Sequence, residues 1–288
     1  MKLKNAMALG LASVLAVGLT ACGSSADTSA AESTVAAADA AGAPDGDGDP
    51  TTLTVAMECA YAPYNWTQSD DSNGAVEIRG SSDYAYGYDV MMAKKIGEAL
   101  GQKVQIVKLD WDSLIPAVMS GDVDCVIAGQ SITAERAAQV DFSDPYYYAS
   151  IITLTKKDSA YANAASVADL AGATATSQLG TIWYDTCLPQ TAPAMLVALN
   201  SGACDIVVTD RPTGQAALVA YPDFTLLDFG GGDGDFQVSD EDINIGISMK
   251  KGNTALKDAI NEVLATMTTD DYNALMDEAI SVQPLSDN

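Results

Sequence analysis

Apolar residues recur along the first half of the chain with two alternating periods. Three runs, at 53–59, 104–107 and 123–128, have the length and the apolar content of buried strands. Between them, the segments 88–100 and 111–119 have the apolar spacing of helices, and each is closely followed by a glycine that favours a helix end. The order strand, helix, strand, helix, strand predicts an α/β fold with a mostly parallel sheet and helices on both faces.

The second half of the chain repeats this alternation after an extended segment at 149–155. Its predicted elements are a helical turn at 166–170, helices at 180–187, 193–199 and 213–220, and strands at 174–177, 205–208 and 225–229. Another extended segment, 243–249, precedes two amphipathic helices at 256–267 and 271–280. We expect the polar stretch 68–82 to form a loop or a weak hairpin.

The N-terminal residues 1–21 are typical of a lipoprotein signal peptide. Two lysines precede a short apolar run, and the sequence LTAC at 19–22 resembles a bacterial lipobox in which Cys22 receives the lipid. Residues 22–50 are rich in alanine, serine, glycine and aspartate and contain no aromatic residue, which predicts a disordered tether. We therefore expect an extracytoplasmic protein that is anchored to the cell membrane by lipid on Cys22.

The charge of the chain excludes several classes of partner. It carries 39 acidic and 14 basic residues, so its formal net charge is −25, and it contains no histidine. Such a surface is repelled by nucleic acids and by anionic lipid headgroups. Without histidine, and without a cysteine spacing that is typical of zinc, the usual metal-binding sets are missing. We therefore expect no cofactor, no metal and no nucleic-acid partner.

Small and hydroxylated residues follow the third predicted strand and indicate an anion site. Gly129 and Ser131 offer backbone and hydroxyl groups, and Arg136 follows them on a short predicted helix. A guanidinium group beside hydroxyl groups fits a carboxylate, because its planar fork can bind both oxygens. The alternative is a surface arginine that pairs with Glu135 or Asp141.

A second predicted strand also ends in a charged residue, Asp210, which we expect to be exposed. If Asp210 faces Arg136 across one site, the two side chains can bind a zwitterion, with its carboxylate on the arginine and its ammonium on the aspartate. The alternative for Asp210 is a helix N-cap ahead of Pro212, which is an equally good local interpretation.

Three stretches carry a resemblance to a known family: GYDV (87–90), DWDSLIPAVMSGDVDCVIAGQSITAERAAQVDFSDPYY (110–147) and LNSGACDIVVTDRP (199–212). They resemble family 3 extracellular solute-binding proteins, the amino-acid receptors of ABC importers, and the resemblance extends from about residue 53 to 280. It implies the type II periplasmic-binding-protein fold, with two lobes joined by two hinge strands. Lobe one would comprise 51–148 plus 247–283, and lobe two 149–246.

The resemblance also implies roles for individual residues. The carboxylate of the amino acid would bind Arg136, Ser131 and the backbone N–H of Thr181, while its ammonium would bind Asp210 and the carbonyl of Gly129. The remaining implied ligand-binding residues are the aromatic walls Tyr61 and Trp111, the acid Glu58 near the polar end of the ligand, and Gln178. The implied partners are a free amino acid and the permease of an ABC transporter, and we expect a monomer.

Glu58 directs the choice of ligand class. In relatives that bind lysine, arginine or ornithine, an acid three residues before the first aromatic meets the cationic end of the ligand, and Glu58 has this spacing from Tyr61. This favours a basic amino acid. Because glutamate is longer than the aspartate that some of these relatives use, a smaller polar ligand such as glutamine or cystine is the alternative.

The chain departs from the family pattern between residues 186 and 198, where it is shorter and we expect an edge strand of lobe two to be missing. Cys187 and Cys204 flank this connection, and we expect them to form the only disulfide. Cys59 ends one parallel strand and Cys125 begins its neighbour, so we expect these two not to pair.

An enzyme of the same fold, such as a dehydratase, is the main candidate from another functional class. It would need a general acid or base, but the chain has no histidine, and Glu58 is the one plausible acid in the predicted pocket. We therefore expect a receptor and not an enzyme. A sensory receptor domain and a structural lipoprotein are two further candidates.

Overall fold

The computed structural model describes residues 49–178 and 188–284. The helices in these ranges are α1 (Tyr88–Leu100), α2 (Trp111–Ser120), α3 (Ala134–Gln139), α4 (Ala192–Ser201), α5 (Arg211–Ala220), α6 (Asp240–Ile243), α7 (Thr254–Ala265) and α8 (Thr269–Val282). The strands are β1 (Thr52–Met57), β2 (Ala60–Tyr61), β3 (Asn65–Gln68), β4 (Val76–Glu77), β5 (Tyr84–Tyr86), β6 (Lys103–Lys108), β7 (Cys125–Val126), β8 (Asp141–Phe142), β9 (Tyr147–Tyr148), β10 (Ile151–Lys156), β11 (Ala175–Gln178), β12 (Leu188–Gln190), β13 (Ile206–Asp210), β14 (Phe224–Leu227), β15 (Asn244–Ile245) and β16 (Ser248–Met249).

The first five-stranded sheet has the order β6-β1-β7-β16-β8. Strands β6, β1 and β7 are parallel, and β16 pairs antiparallel with both β7 and β8. Four of the five strands therefore point the same way. β1 lies at the centre of the core, because all its residues from Leu53 to Met57 are buried. The prediction of a mostly parallel sheet is confirmed.

The second five-stranded sheet has the order β12-β11-β13-β10-β14 and repeats this design. Strands β12, β11 and β13 are parallel, and β10 runs antiparallel between β13 and β14. Strands β9 and β15 pair to form a two-stranded antiparallel ribbon. The chain passes between the two five-stranded sheets twice, and each passage contains one strand of this ribbon. Tyr148 is paired with Asn244 and Tyr147 with Ile245 in this ribbon.

Helix boundaries follow the capping residues that the sequence supplies. α1 spans the predicted residues Tyr88–Leu100, and Gly101 ends it with a φ of 68°. Thr133 caps α3 by accepting a hydrogen bond from the N–H of Arg136, and Thr268 forms a reciprocal capping box with Asp271 at α8. These caps confirm the predicted positions of α1, α3 and α8.

The stretch 68–82 is mostly loop, as expected, and its residues Val76–Glu77 form β4, which pairs antiparallel with β5. Together with β2 and β3 these strands form a four-stranded antiparallel sheet with the order β2-β3-β5-β4. One prediction about the fold is wrong. The edge strand expected to be missing is present as β12, which extends β11 in parallel, although it has only three residues.

Several predictions fall outside the described residues. They are the signal peptide, nearly all of the tether with Cys22, the predicted helix 180–187 with Thr181, and Cys187. Between residues 49 and 284, leaving aside 179–187, no helix has the length and hydropathy that are needed to cross a membrane.

Candidate functional site

The candidate site lies at the carboxyl ends of two neighbouring parallel strands. β1 and β7 pair through Val55 with Cys125 and Ala56 with Val126, so the loops that follow them emerge side by side. We call the loop that carries Glu58 and Tyr61 the first loop, and the loop from Gly129 to Thr133 the second loop. Ligands of open α/β sheets bind at such an edge.

Arg136 lies on α3 directly beyond the second loop, where it contacts both the backbone and an aromatic ring. Its Nη1 donates to the carbonyl oxygen of Ser131 at 3.0 Å, and its Cζ lies 5.6 Å from the centroid of the Trp111 ring. This distance is within cation–π range. Partial burial lowers the pKa of Arg136, and Glu135 raises it again. Asp141, one of the two acids that could have paired with Arg136, is instead bound to Lys251 at 3.3 Å.

Asp210 is buried, with 1% of its surface exposed, so the expectation of an exposed acid is wrong. The side chain turns back into the protein as the N-cap of α5, where it accepts hydrogen bonds from the N–H and the hydroxyl of Thr213, both at 2.9 Å. Burial raises the pKa of Asp210, and these hydrogen bonds work against the increase. The N-cap interpretation is therefore confirmed.

The same carboxylate also receives a hydrogen bond from the hydroxyl of Tyr61. Tyr61 is the last residue of β2 in the first loop, which follows β1 of the first five-stranded sheet, whereas Asp210 ends β13 of the second. The contact therefore joins the first loop to the second five-stranded sheet. The Tyr61 ring is buried and stacks on Tyr64, with centroids 5.0 Å apart and an angle of 23° between the rings. Burial and the neighbouring carboxylate raise the pKa of Tyr61, so its hydroxyl stays protonated as a donor.

Gly129 has a conformation and a position that favour glycine. Its φ is 64°, and a Cβ atom built on it would lie 3.1 Å from Cε1 of Tyr61. Its N–H donates to the hydroxyl of Tyr146 at 3.0 Å. The backbone of the second loop therefore packs directly against the Tyr61 ring. Gly129 and Asp210 thus both contact the Tyr61 side chain, one at its ring and the other at its hydroxyl.

Ser131 is buried and forms an isolated antiparallel bridge with Ile245 of β15. The adjacent Ile132 N–H donates to the carbonyl of Asn244 at 2.8 Å, and the Gly246 N–H donates to the carbonyl of Gln130 at 2.9 Å. The second loop is thus held by backbone hydrogen bonds to the ribbon between the sheets.

The remaining predicted site residues lie around these groups. Glu58 is partly buried and directly follows β1, and Trp111 is the first residue of α2. Gln178 is the last residue of β11, and Thr181 lies outside the described residues. The structure therefore brings Tyr61 and Gly129 into contact, Tyr61 and Asp210 into contact, and Arg136 onto Trp111.

Sequence reasoning missed three buried polar side chains behind the two loops: Asn65, Asp89 and Tyr146. Each is 0% exposed, and they hydrogen-bond to one another and to both loops. The signal in the sequence was Asp89, an acid within the otherwise apolar and aromatic start of α1. The sequence alone does not show which side chains bind the Asp89 carboxylate, because its partners come from other parts of the chain.

The described cysteines of the first sheet are separate thiols. Cys59 and Cys125 are buried and unpaired, which confirms that they form no disulfide with each other. Burial raises the pKa of the Cys59 thiol to about 12, so it stays protonated at neutral pH. In the part of the chain that the structure describes, no group of three or more His, Cys, Asp or Glu side chains is placed to hold a metal ion.

An apolar cavity of about 410 Å³ lies beside the site, lined by residues that include Trp66, Leu196, Ala217 and Tyr221. Its lining touches the first loop at Cys59 and α5 at Thr213, but it includes neither Arg136 nor Asp210. Since a zwitterion needs both charges, this cavity is not the candidate amino-acid site.

Comparison with known proteins identifies the family. Residues 53–281 match the model of the bacterial extracellular solute-binding proteins, family 3. The chain belongs to this family. The solute-binding proteins with solved structures that it resembles have the two-lobed fold of type II periplasmic binding proteins, and the two sheets joined by a ribbon agree with that fold.

Individual relatives of this solute-binding protein bind several amino acids. The arginine-binding extracellular protein ArtP of Bacillus subtilis is 32% identical over 180 residues, which cover 62% of this chain but only 58% of that relative. The L-cystine-binding protein TcyJ of Escherichia coli is 27% identical over 230 residues, or 76% of this chain and 78% of that relative.

Solved structures extend this comparison. An ancestral arginine-binding protein bound to arginine is 30% identical, with a TM-score of 0.63 over 79% of this chain and 97% of that one. An ancestral arginine-binding protein bound to glutamine gives a TM-score of 0.62 at 30% identity, over 79% of this chain and 97% of that one.

Proposed function

We propose that this solute-binding protein is an extracytoplasmic receptor that captures a free amino acid, with a basic amino acid as the leading ligand, and delivers it to the permease of an ABC importer. The observation that carries the proposal is the position of Asp210. This buried carboxylate accepts a hydrogen bond from Tyr61 of the first loop, and the Tyr61 ring also lies against Gly129 of the second loop. An amino acid needs such a fixed negative group for its ammonium.

The carboxylate of the ligand would bind at the second loop. Arg136 is the cation there, and its guanidinium is already oriented by the Ser131 carbonyl and the Trp111 ring. Because a guanidinium has five N–H donors, it can bind the Ser131 carbonyl and a carboxylate at the same time. Ser131 and the N–H of Thr181 are the further groups that we assign to this end of the ligand.

The ammonium of the ligand would bind Asp210 and the carbonyl of Gly129. An ionised carboxylate has about four acceptor positions. Tyr61 and Thr213 use three of those on Asp210, and the hydroxyl of Thr209 makes only a long contact at 3.4 Å. Because Oδ1 accepts only from the N–H of Thr213 among the described residues, its second lone pair can accept from an ammonium group. A cation there would also stabilise the ionised form of Asp210, whose pKa burial raises.

The side chain of the ligand would extend between Tyr61 and Trp111 toward Glu58. A cationic side chain suits this path, because aromatic faces attract cations and a partly buried glutamate favours an opposite charge. The arginine-binding relatives support a basic ligand. The cystine-binding relative and the glutamine complex of the ancestral protein make a polar amino acid the second candidate.

The domain organisation that we propose follows the two sheets. Lobe one comprises residues 51–148 plus 247–283 and lobe two comprises 149–246, with the ribbon of β9 and β15 as the hinge. Lipid on Cys22 and the tether 22–50 would hold a monomer near the membrane, where the permease is located. We propose no catalytic step, since the buried acids of the site are held by hydrogen bonds as acceptors.

The proposal is tested on protein that lacks the leader and tether. Ligand that co-purifies with it is identified by mass spectrometry, and calorimetry then compares arginine, lysine, glutamine and cystine. The expected result is tight binding of a basic amino acid. Failure to bind any amino acid would contradict the receptor function, and chemical conversion of a bound amino acid on long incubation would favour the enzyme.

A further inference from the structure

Asp89 is a buried carboxylate that lies behind the candidate site and makes no contact expected of a ligand-binding residue. It sits in the first turn of α1, is 0% exposed, and has both carboxylate oxygens engaged by other side chains. Burial raises its pKa to about 6 in spite of these hydrogen bonds. A charged group in such a place is costly, so its retention calls for a physical reason.

One oxygen of Asp89 holds the first loop. Nδ2 of Asn65 donates to Oδ2 of Asp89 at 2.7 Å, which fixes the orientation of the Asn65 amide. The other end of that amide, Oδ1, then accepts from the N–H of Cys59 at 2.7 Å. Cys59 has a φ of 54°, an uncommon conformation for a residue with a side chain. This bond holds the backbone between Glu58 and Tyr61 in that conformation.

The other oxygen of Asp89 holds the second loop. The hydroxyl of Tyr146 donates to Oδ1 of Asp89 at 2.6 Å and accepts from the N–H of Gly129 at 3.0 Å. The hydroxyl has a single hydrogen, which it donates to Asp89. Its oxygen lone pairs therefore accept the hydrogen bond from the N–H of Gly129. Gly129 is thereby fixed with its backbone against Tyr61.

We call the two chains of hydrogen bonds, Asp89–Asn65–Cys59 and Asp89–Tyr146–Gly129, relays. Each relay consists of two hydrogen bonds, and both begin at the carboxylate of Asp89. In each, a neutral side chain links a carboxylate oxygen to the backbone N–H of a loop that carries site residues. A carboxylate suits this position, since it accepts on both sides. An amide would place a donor opposite either Asn65 or Tyr146 and would disturb one relay.

We propose that Asp89 is a positioning residue of the ligand site, which sets the relative position of the first and second loops through Asn65 and Tyr146. The proposal rests on the proposed function, because those loops carry the groups that we assign to the amino acid. Asp89 acts on the ligand only through these loops. Its loss would therefore weaken binding by more than its effect on stability explains.

The test compares two tyrosines that stack on each other at 5.7 Å. Tyr146→Phe removes the hydroxyl between Asp89 and Gly129, whereas the control Tyr88→Phe removes a buried hydroxyl that donates to the carbonyl of Tyr146 at 2.7 Å and contacts neither loop. Each variant loses a buried tyrosine hydroxyl, so we expect similar decreases in unfolding midpoint. The amino acid that the wild type binds best should bind Tyr146→Phe about tenfold more weakly and Tyr88→Phe unchanged.

A measurement on the ligand-free protein separates this proposal from the proposed function. The amide resonance of Gly129 in an NMR spectrum reports its hydrogen bond, and we expect it to shift in Tyr146→Phe and in Asp89→Asn but not in Tyr88→Phe. If the wild type binds no amino acid, the proposed function fails while this spectrum still tests the relay. Equal affinities of Tyr146→Phe and Tyr88→Phe, or an unshifted Gly129 resonance in Asp89→Asn, would overturn the positioning role.

Discussion

The hydroxyl of Tyr61 donates to the carboxylate of Asp210, and this hydrogen bond connects the first loop, which follows β1 of the first five-stranded sheet, with the end of β13 in the second. Tyr61 thereby occupies one acceptor position of the group that we assign to the ligand's ammonium. The N–H and the hydroxyl of Thr213 within α5 occupy two more, and Thr209 makes a longer contact from the adjacent position in β13. The carboxylate therefore has one partner from across the site, and its remaining partners are local.

Replacing Tyr61 by phenylalanine should loosen the ligand-free protein. The loss of one hydrogen bond to a buried, charged acceptor costs about 1.5–3 kcal/mol of unfolding free energy. Because the bond joins the first loop to the second five-stranded sheet, we also expect a larger radius of gyration in small-angle X-ray scattering. Thr213→Val is the matched control, since it removes a hydroxyl that donates to the same carboxylate from the adjacent first turn of α5. A radius that increases equally in both variants would contradict the bridging role of Tyr61.

Arg136→Ala should abolish amino-acid binding and leave the fold intact. Removing one partner of a buried charge pair costs about 2–5 kcal/mol, or one and a half to four decades of affinity. Calorimetry measures the affinity, and circular dichroism checks the fold. Arg79→Ala, which removes an exposed arginine whose Nη1 donates to Oε1 of Gln105 at 3.4 Å, is the control and should bind normally. An Arg136→Ala protein with wild-type affinity would exclude the carboxylate role.

Glu58→Gln should change which ligands are preferred. If the ligand is basic, loss of the negative charge weakens arginine and lysine binding by about tenfold or more and leaves glutamine binding nearly unchanged. Competition experiments with arginine, lysine, glutamine and cystine on the wild type and the variant measure this difference. Glutamine binding more tightly than arginine to the wild type would show that the basic ligand class is wrong.

The stability of the protein should rise as the pH falls from neutral to mildly acidic values. The pKa of Asp89 is raised from 3.8 to about 6, so the folded state binds a proton that the unfolded state releases in this window. Unfolding stability therefore falls as pH increases, and this group contributes about 1–2 kcal/mol between pH values of about 5 and 7.5. The raised pKa of Asp210 acts in the same direction.

Urea unfolding at both pH values measures this dependence, and Asp89→Asn should reduce it. Asp271 provides the control, because its hydrogen bonds to Thr268 lower its pKa, so its contribution is lost only in more acidic solution. Asp271→Asn should therefore keep the wild-type dependence over this window. A dependence in Asp89→Asn as steep as that of the wild type would refute the assignment to Asp89.

Local features of the chain were predicted well because their causes are local. The apolar spacing and the terminal glycine determine α1, and Thr133 defines the start of α3 through its own side chain. The order of elements then led to the parallel strands and to the adjacent loops at their carboxyl ends. The placement of Arg136 beyond β7 follows from the same reasoning.

What the sequence did not predict depends on contacts between distant residues. The burial of Asp210 arises from Tyr61, which is 149 residues away, and the relay through Asp89 joins residues 57 and 24 positions apart. β4 and β12 are stable as two- and three-residue strands only because a longer neighbour is there to pair with them. No periodicity within such short segments indicates their structure.

The backbone hydrogen bonds between the second loop and β15 have a mechanical consequence. If the ribbon is the hinge that we propose, Ser131 and its neighbours lie at the pivot, because Ser131 is bridged to Ile245. A lever moves least near its pivot, so the second loop would keep its shape while the far edge of the second sheet, at β12, travels the greatest distance. A pair of fluorophores would therefore report capture of a ligand most strongly when one is placed beside β12 and the other on the outer edge of the first sheet, beside β6.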